Sequence, residues 1–376
     1  MQTAGLYIHV PFCERKCGYC DFYSVTRLQQ RSAFVKALLH EIEMAAPEFE
    51  RFTFDTIFLG GGTPSLLSIE SLQSIWAHLH THFKIAPEGE FTLEANPGTL
   101  KSGELRQIRE AGFNRLSLGA QSFNEPDLHF LQRIHDVPAI YDGYWQARDA
   151  GFANINLDLM TAFPGLSMEA FLNTLKCAVE LQPEHISCYT LIFEPDTPFY
   201  RRLQKGELRP LDNDSEADFY QKAFQFLESN GYTAYEISNY SREADLDCRH
   251  SLKYWDHQPY LGLGPAAHSF ISPRRWQNVR SLPHYLNRIE KGKMAVKNYE
   301  QLDSMTLEFE YIFLHLRLRQ GLKFSLFQER FDKSFLEEYN DTVRSLQQNG
   351  LIALSSDAVF LTEKGWLLAD EVAASF

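Results

Sequence analysis

Apolar, β-branched runs alternate with segments of helical period through the first 240 residues of the chain. The strand-like runs are LYIHV (6–10), DTIFLG (55–60), EFTLEA (90–95), RLSLGA (115–120), NINLDLM (154–160) and HISCYTLI (185–192). Between them, SAFVKALLHEIEMAA, SIESLQSIWAHLHTHF, KSGELRQIREAG and SMEAFLNTLKCAVELQ repeat apolar residues at i, i+3 and i+4, which gives a helix one buried stripe. Serines open several of these segments as candidate N-caps, and Gly112 closes one. The alternation predicts an α/β fold of repeated βα units on a parallel sheet.

Such a set of strands suits either a doubly wound sheet or an incomplete βα barrel, and periodicity does not separate the two. The placement of polar residues does. Glu94, Gln121 and Asp158 fall at or just beyond the C-terminal ends of their strands, and GGGTPS (60–65) follows the second one. One rim then collects the reactive groups, as in βα barrels, so a partial (β/α)6, TIM-like barrel is expected. From about residue 300 the texture changes to SMTLEFEYIFLHLRLRQG, two further helical segments, and GLIALSSDAVFLTEKGWLLADEV, a short hairpin with a last helix. The predicted organisation is a barrel over 1–240, a connecting segment over 241–300 and a C-terminal helical, winged-helix-like domain over 301–376.

Composition narrows the function. Length, at 376 residues, suits one large α/β domain and a smaller unit, and 44% hydrophobic residues without Gly, Ser or Pro tracts describe an ordinary globular chain. Thirty-six basic against 49 acidic residues give a net charge of −13, which repels polyphosphate, so nucleic acid is not an expected partner. Winged-helix units often bind DNA, but residues 321–376 hold five Lys/Arg against nine Asp/Glu, which favours a packing or lid role. The first residues, MQTAGLYIHVPFC, lack the regions of a signal peptide and no run of 18 apolar residues occurs, so a cytoplasmic, soluble protein is expected. Six cysteines in so long a chain are best read as reduced thiols, with Cys177 and Cys188 as small core residues.

The remaining chemistry concentrates in CERKCGYC. Cys13, Cys17 and Cys20 form C-x3-C-x2-C directly after the first strand, a spacing that lets three thiolates meet one inorganic centre. Structural zinc would need a fourth protein ligand, and the near candidate, His9, lies inside the strand-like run. A [4Fe–4S] cluster on three thiolates keeps one iron open to a non-protein ligand. The loop resembles the cluster loop of the radical S-adenosylmethionine (SAM) family, in which SAM chelates the open iron through its amino and carboxylate groups. The resemblance implies one-electron transfer from the reduced cluster into the sulfonium, breaking a C–S bond to release a 5′-deoxyadenosyl radical, with the protein positioning the guest and excluding oxygen and water. GGGTPS resembles the family's glycine motif, where missing side chains let backbone groups approach the methionine moiety. Tyr7, Gly61, Gly62, Thr63, Glu94, Gln121, Arg133 and Asp158 match the order in which the oxygen-independent coproporphyrinogen oxidase branch supplies SAM ligands, and Ile192 is implied beside the adenine.

Within that branch the resemblance is nearest to the haem chaperones. True coproporphyrinogen oxidases of this type carry a further cysteine where this chain has Phe22, and an N-terminal extension where it has six residues before Tyr7. CRHSLKYW (248–255) resembles the chaperones' H-N-x-x-Y-W haem motif, with Ser251 in place of asparagine. By that resemblance His250 is a haem-iron ligand and Tyr254 and Trp255 pack on the porphyrin. Cys248 is an alternative ligand, and His9 or His268 could fill a second axial position. Ser251 shortens the hydrogen-bonding side chain and puts the asparagine's supporting role in doubt. The implied function is a haem chaperone that binds haem and a SAM-ligated [4Fe–4S] cluster and passes haem to an acceptor protein, with a membrane respiratory enzyme as one candidate. The alternative is a radical enzyme that oxidatively decarboxylates coproporphyrinogen III. The sequence leaves monomer and homodimer, and the haem axial ligands, open.

Overall fold

The computed structural model describes residues 2–100 and 102–376. The start of KSGELRQIREAG, Lys101 and the Ser102 side chain, lies outside the described residues. The six predicted runs all form strands. In chain order come β1 (Gln2–Val10), α1 (Arg31–Ala45), β2 (Phe52–Gly61), α2 (Ile69–His82), β3 (Lys84–Ala95), α3 (Ser102–Ala111), β4 (Arg115–Gln121), α4 (Glu125–Phe130), α5 (Val137–Asp149), β5 (Asn154–Thr161), α6 (Met168–Glu180) and β6 (His185–Thr190). These strands pair in parallel and in sequence order. Local chemistry sets several boundaries. Ser68 accepts from the Ser71 amide to cap α2, and Ser167 accepts from the Ala170 amide to cap α6. Gly112, at φ +124°, takes the left-handed step that ends α3. Ser32, another candidate cap, lies inside the first turn of α1, which Gln30 precedes.

The sheet then grows at both ends. After α7 (Pro198–Gln204) and α8 (Asn213–Ser229), β7 (Thr233–Ala234) and β8 (Asn239–Ser241) add antiparallel strands beyond β6. The segment expected to connect two domains is built into the same sheet. It supplies α9 (Arg249–Trp255), β9 (Tyr260–Leu263), β10 (His268–Ile271), β11 (Arg274–Asn278), α10 (Leu282–Glu290) and β12 (Val296–Gln301). β9 lies parallel to β1, and β10 to β12 continue as an antiparallel meander. Among the described residues the result is one open sheet of 12 strands with the six βα units at its centre, a barrel that does not close.

The remainder is α11 (Ser304–His315), β13 (Leu322–Lys323), α12 (Phe324–Phe331), α13 (Phe335–Glu338), α14 (Asn340–Gln348), β14 (Ile352–Leu354), β15 (Ala358–Leu361), α15 (Glu363–Trp366) and α16 (Ala369–Ala373). Helices beside a small β13–β15–β14 sheet match the winged-helix expectation, except that the last predicted helix is broken into α15 and α16. This unit joins the barrel where the Arg319 amide donates to the Tyr235 carbonyl at 2.9 Å and where α11 packs on α9. Among the described residues, no helix is long and apolar enough to cross a membrane.

Candidate cluster and cofactor site

The first strand delivers the cysteine loop. The Cys13 amide donates to the Val25 carbonyl at 3.1 Å and the Val25 amide to the Pro11 carbonyl at 2.7 Å, so the two ends of the loop are clasped together. His9 fixes what lies between. Its Nε2 bonds the Tyr23 carbonyl at 2.7 Å, an oxygen that can only accept, which leaves Nδ1 to accept from the Tyr7 hydroxyl at 3.0 Å. Burial pushes the His9 pKa down to about 4, so the ring is neutral. His9 therefore holds the loop from beneath as a hydrogen-bonded post.

The three cysteines are free and half-buried. Thr63 Oγ1 donates towards Cys13 Sγ at 3.7 Å, and Arg133 Nη1 towards Cys17 Sγ at 3.5 Å. Burial raises the Cys13 thiol and pushes Cys20 up to about 11, so loading with metal must displace their protons. Their sulfurs do not gather into a triangle with every edge inside 4.8 Å, whereas tetrahedral zinc would draw thiolates to about 3.8 Å apart. Spread thiolates on a clasped loop fit a cluster, which distributes its ligands over separate irons.

Beside this loop lies a cavity of about 530 Å³, lined among others by Cys20, Phe22, Gly61, Gly62, Thr63, Glu94, Gln121, Arg133 and Asp158. The parallel strands bring these together because each contributes the residues at its C-terminal end. Glu94 accepts from the Gly61 amide at 3.1 Å; Asp158 accepts from Ser117 at 2.9 Å and Asn156 at 2.9 Å. Burial, reinforced by the charge on Asp158, pushes Glu94 up to about 8, and burial raises Asp158 as well. Two desolvated carboxylates thus face one space that a cation would relieve. Arg133 donates to Asn96 at 2.6 Å and to the Gly119 carbonyl at 3.0 Å, and its Nε is buried without a partner. Burial opposes its charge, but Tyr19 and Cys17 outweigh this and its pKa is raised. Gln121 closes β4 at φ +67°, a left-handed step for a residue with a Cβ, at a point where the strand register shifts.

The glycines have an internal reason as well as any external one. A Cβ on Gly61 would stand 2.4 Å from the His9 ring, and one on Gly62 would stand 2.6 Å from the Phe12 carbonyl oxygen. The Gly62 and Thr63 amides donate back to Val10 and Phe12 at 2.9 and 2.7 Å. Glycine is thus required to lock this turn onto the root of the cysteine loop.

Other predicted residues stand apart from the cavity wall. Tyr7 is held beneath by its bond to His9, Cys17 opens on a smaller adjoining cleft, and Ile192 is 66% exposed just beyond β6. His250 lies inside the barrel base at 2% exposure. Its Nδ1 bonds Thr56 Oγ1 and its Nε2 bonds the Tyr254 hydroxyl, both at 2.9 Å, and Phe58 stacks on the ring at 5.2 Å. Burial, with help from Lys253 and Arg115, pushes its pKa down to about 3. α9 is tied down around it: Glu90 accepts from the Arg249 and His250 amides at 3.0 Å, and Lys253 pairs with Asp55 at 2.8 Å. Cys248 is buried against Glu90, and His268 is exposed on β10.

Sequence reasoning missed Asn96, Tyr19, Ser117 and Glu194, all of which line the cavity. Asn96 bridges Thr63 at 3.0 Å and Arg133, tying the glycine turn to the guanidinium. Its signal was present, since it follows directly on β3 in the turn sequence NPG. The cavity lining runs from Tyr19 to Glu194, so the C-terminal unit contributes no wall to it among the described residues.

Residues 7–178 match the model of the radical SAM superfamily and residues 303–368 that of the HemN C-terminal domain. The chain is 36% identical over 373 residues to heme chaperone HemW of Bacillus subtilis, covering 98% of both. It is 36% identical over 375 residues to heme chaperone HemW of Mycobacterium tuberculosis, covering 99% of this chain and 94% of the relative. The Escherichia coli heme chaperone HemW is 37% identical over 328 residues, 85% of this chain and 84% of the relative. Among solved structures, the radical SAM enzyme coproporphyrinogen III oxidase (HemN) from Escherichia coli superposes with a TM-score of 0.86 at 23% identity, over 100% of this chain and 90% of that one, which establishes a shared fold. The cysteine loop at the rim of this chain's open parallel barrel falls within the radical SAM match and its last unit within the HemN C-terminal match, and, with relatives 36% identical over nearly its whole length, the chain belongs to the HemW family of the radical SAM superfamily.

Proposed function

We propose that this chain is a haem chaperone. It holds a [4Fe–4S] cluster on Cys13, Cys17 and Cys20, takes SAM at the open iron, and binds haem for delivery to an acceptor protein. The observation that carries this reading is similarity along nearly the whole chain to relatives named heme chaperones. When bound and reduced, the cluster supplies one electron to a sulfonium; the side chains do the holding. Glu94 and Asp158 suit the ammonium and the ribose hydroxyls, and the guanidinium of Arg133, which borders the same cavity, suits the carboxylate. Gly61, Gly62, Thr63 and Gln121 line the same space and Tyr7 supports it from beneath, while the exposed Ile192, outside that lining, is assigned to the adenine on family resemblance alone.

The cavity also argues against the decarboxylase alternative. Among the described residues lining it, Arg133 is the single cation, and three of its contacts are already taken. A substrate bearing several propionates demands more cationic contacts than that. Haem iron reaches His250 only if α9 lifts from β1 and β2, breaking the bond to Thr56, or if the Tyr254 hydroxyl on the same helix swings off Nε2. The ring is neutral, so a nitrogen lone pair becomes free once a hydroxyl lets go. His250 therefore belongs to the proposal as a ligand of an opened state.

The deciding experiment uses oxygen-free, cluster-loaded protein. Haem should give a saturable Soret band stoichiometric with the chain and move on to an apo-haemoprotein, while coproporphyrinogen III with SAM and reductant gives no protoporphyrinogen. Turnover of coproporphyrinogen, or absence of saturable haem binding, overturns the reading.

A further inference from the structure

Outside the barrel, the last turns of α1 and α2 bring together three side chains with no part in the cofactor site. Glu43 projects from α1, and His78 and His82, one turn apart, project from α2. One ligand atom from each lies within 4.8 Å of the other two. His78 Nε2 stands 2.9 Å from Glu43 Oε1, and the His78 and His82 rings are 4.9 Å apart between centroids. Solvent reaches all three, since Glu43 is exposed and both histidines are half-buried.

A surface ion pair would need one imidazole on the carboxylate. Here two converge, and His40, three residues before Glu43, is near enough to act on the same carboxylate. Protonating the imidazoles would crowd cations around one anion, whereas neutral imidazoles with a carboxylate are a usual ligand set for zinc. Tetrahedral zinc at ordinary bond lengths sets its ligand atoms about 3.4 Å apart. The observed triangle, 2.9 Å on one edge and no more than 4.8 Å on any other, brackets that spacing. Histidines at i and i+4 on a helix present their nitrogens to one point, and the neighbouring helix supplies the third ligand. His80, between them in sequence, turns away to pack at a tilt against Trp76, with ring centroids 4.9 Å apart.

We propose that Glu43, His78 and His82 form a binding site for a divalent metal of the zinc class, with water or His40 completing the coordination. Nitrogen and oxygen donors favour zinc, nickel or copper over magnesium or calcium. The bound ion staples α1 to α2, the helices that follow the cysteine loop and the glycine turn, and so stabilises the fold that carries both loops.

The test titrates cluster-loaded, oxygen-free protein with zinc chloride by calorimetry, following the cluster's visible absorption so that the cysteines stay occupied. Saturable binding stoichiometric with the chain is expected, at least about tenfold weaker in the double variant His78→Ala/His82→Ala and weakened in Glu43→Gln. Zinc should raise the Tm of the parent chain and leave that of the double variant unchanged, and both proteins should share one circular dichroism spectrum without zinc. Equal zinc binding by parent and variants, no zinc binding by the parent, or an equal Tm rise in both overturns the proposal.

Discussion

Glu94 and Asp158 at the rim of the barrel and His250 at its base are all polar groups held away from bulk water, yet their hydrogen-bonding capacity ends differently. At the rim, both carboxyls are pushed up, they border one cavity, and Arg133 nearby keeps a nitrogen without a partner. At the base, each His250 nitrogen has a hydroxyl, and Glu90 answers two amides of α9. A buried network with its bonds satisfied rigidifies a core, while one with unspent capacity facing a cavity is arranged for a guest. Two motifs of similar sequence clarity thus have different physical standing: the rim is ready, and the base must open before it can bind anything.

The largest expected contrast comes from cysteine. Cys17→Ala should abolish the cluster's visible absorption while leaving the circular dichroism and cooperative melting intact, since Cys17 lies on a loop outside the core. Cys248→Ala, deep at the base, should do the reverse, keeping the absorption and lowering the Tm. Loss of absorption in both would dissolve the distinction between the two regions.

His250→Ala sharpens the comparison next. It removes a stacked ring and strands the hydroxyls of Thr56 and Tyr254, which should cost about 2–4 kcal/mol in denaturant unfolding. SAM affinity should stay unchanged. A haem titration of the same variant tests the opened state, where weakened binding is expected and an unaltered Soret titration would remove His250 from the haem site.

The smallest effect is a pH dependence at the rim. Burial and the Asp158 charge hold Glu94 at about 8, so it is mostly protonated near neutrality. A cationic guest prefers the ionised form and its binding releases a proton. Affinity for SAM should therefore rise with pH until about 8, by up to about tenfold per pH unit, and then level off. Glu94→Gln should flatten that rise and weaken binding at the plateau by about tenfold, as equilibrium dialysis of cluster-loaded protein across this range would show. A slope of opposite sign would mean that Glu94 binds its guest as the neutral acid.

Much of this was legible beforehand because it is local. Six strand-like runs, helices capped at Ser68 and Ser167, and the left-handed stop at Gly112 depend on neighbours within a few residues, and the structure keeps them. The rim residues were legible too, because position after a parallel strand is enough to place them on one face of the barrel. What failed to show was long-range. β9 pairs with β1 across about 250 residues, so 241–300 reads as a connection until the sheet is seen. Asn96 matters only because Thr63 and Arg133 arrive from other loops, and the partners of His250 come from β2 and its own helix.

The chain by itself determined the order of its βα units, the three-thiolate loop and the end of the barrel on which polar chemistry collects, since these follow from periodicity, spacing and chain direction. Only the tertiary structure decided which polar atoms are spent and which are spare: the glycine turn locked under His9, the paired carboxyls left facing a cavity, the imidazole sealed beneath α9. The reason is physical. Desolvation and hydrogen-bond satisfaction depend on every segment that packs around a group, and no stretch of sequence specifies its own surroundings.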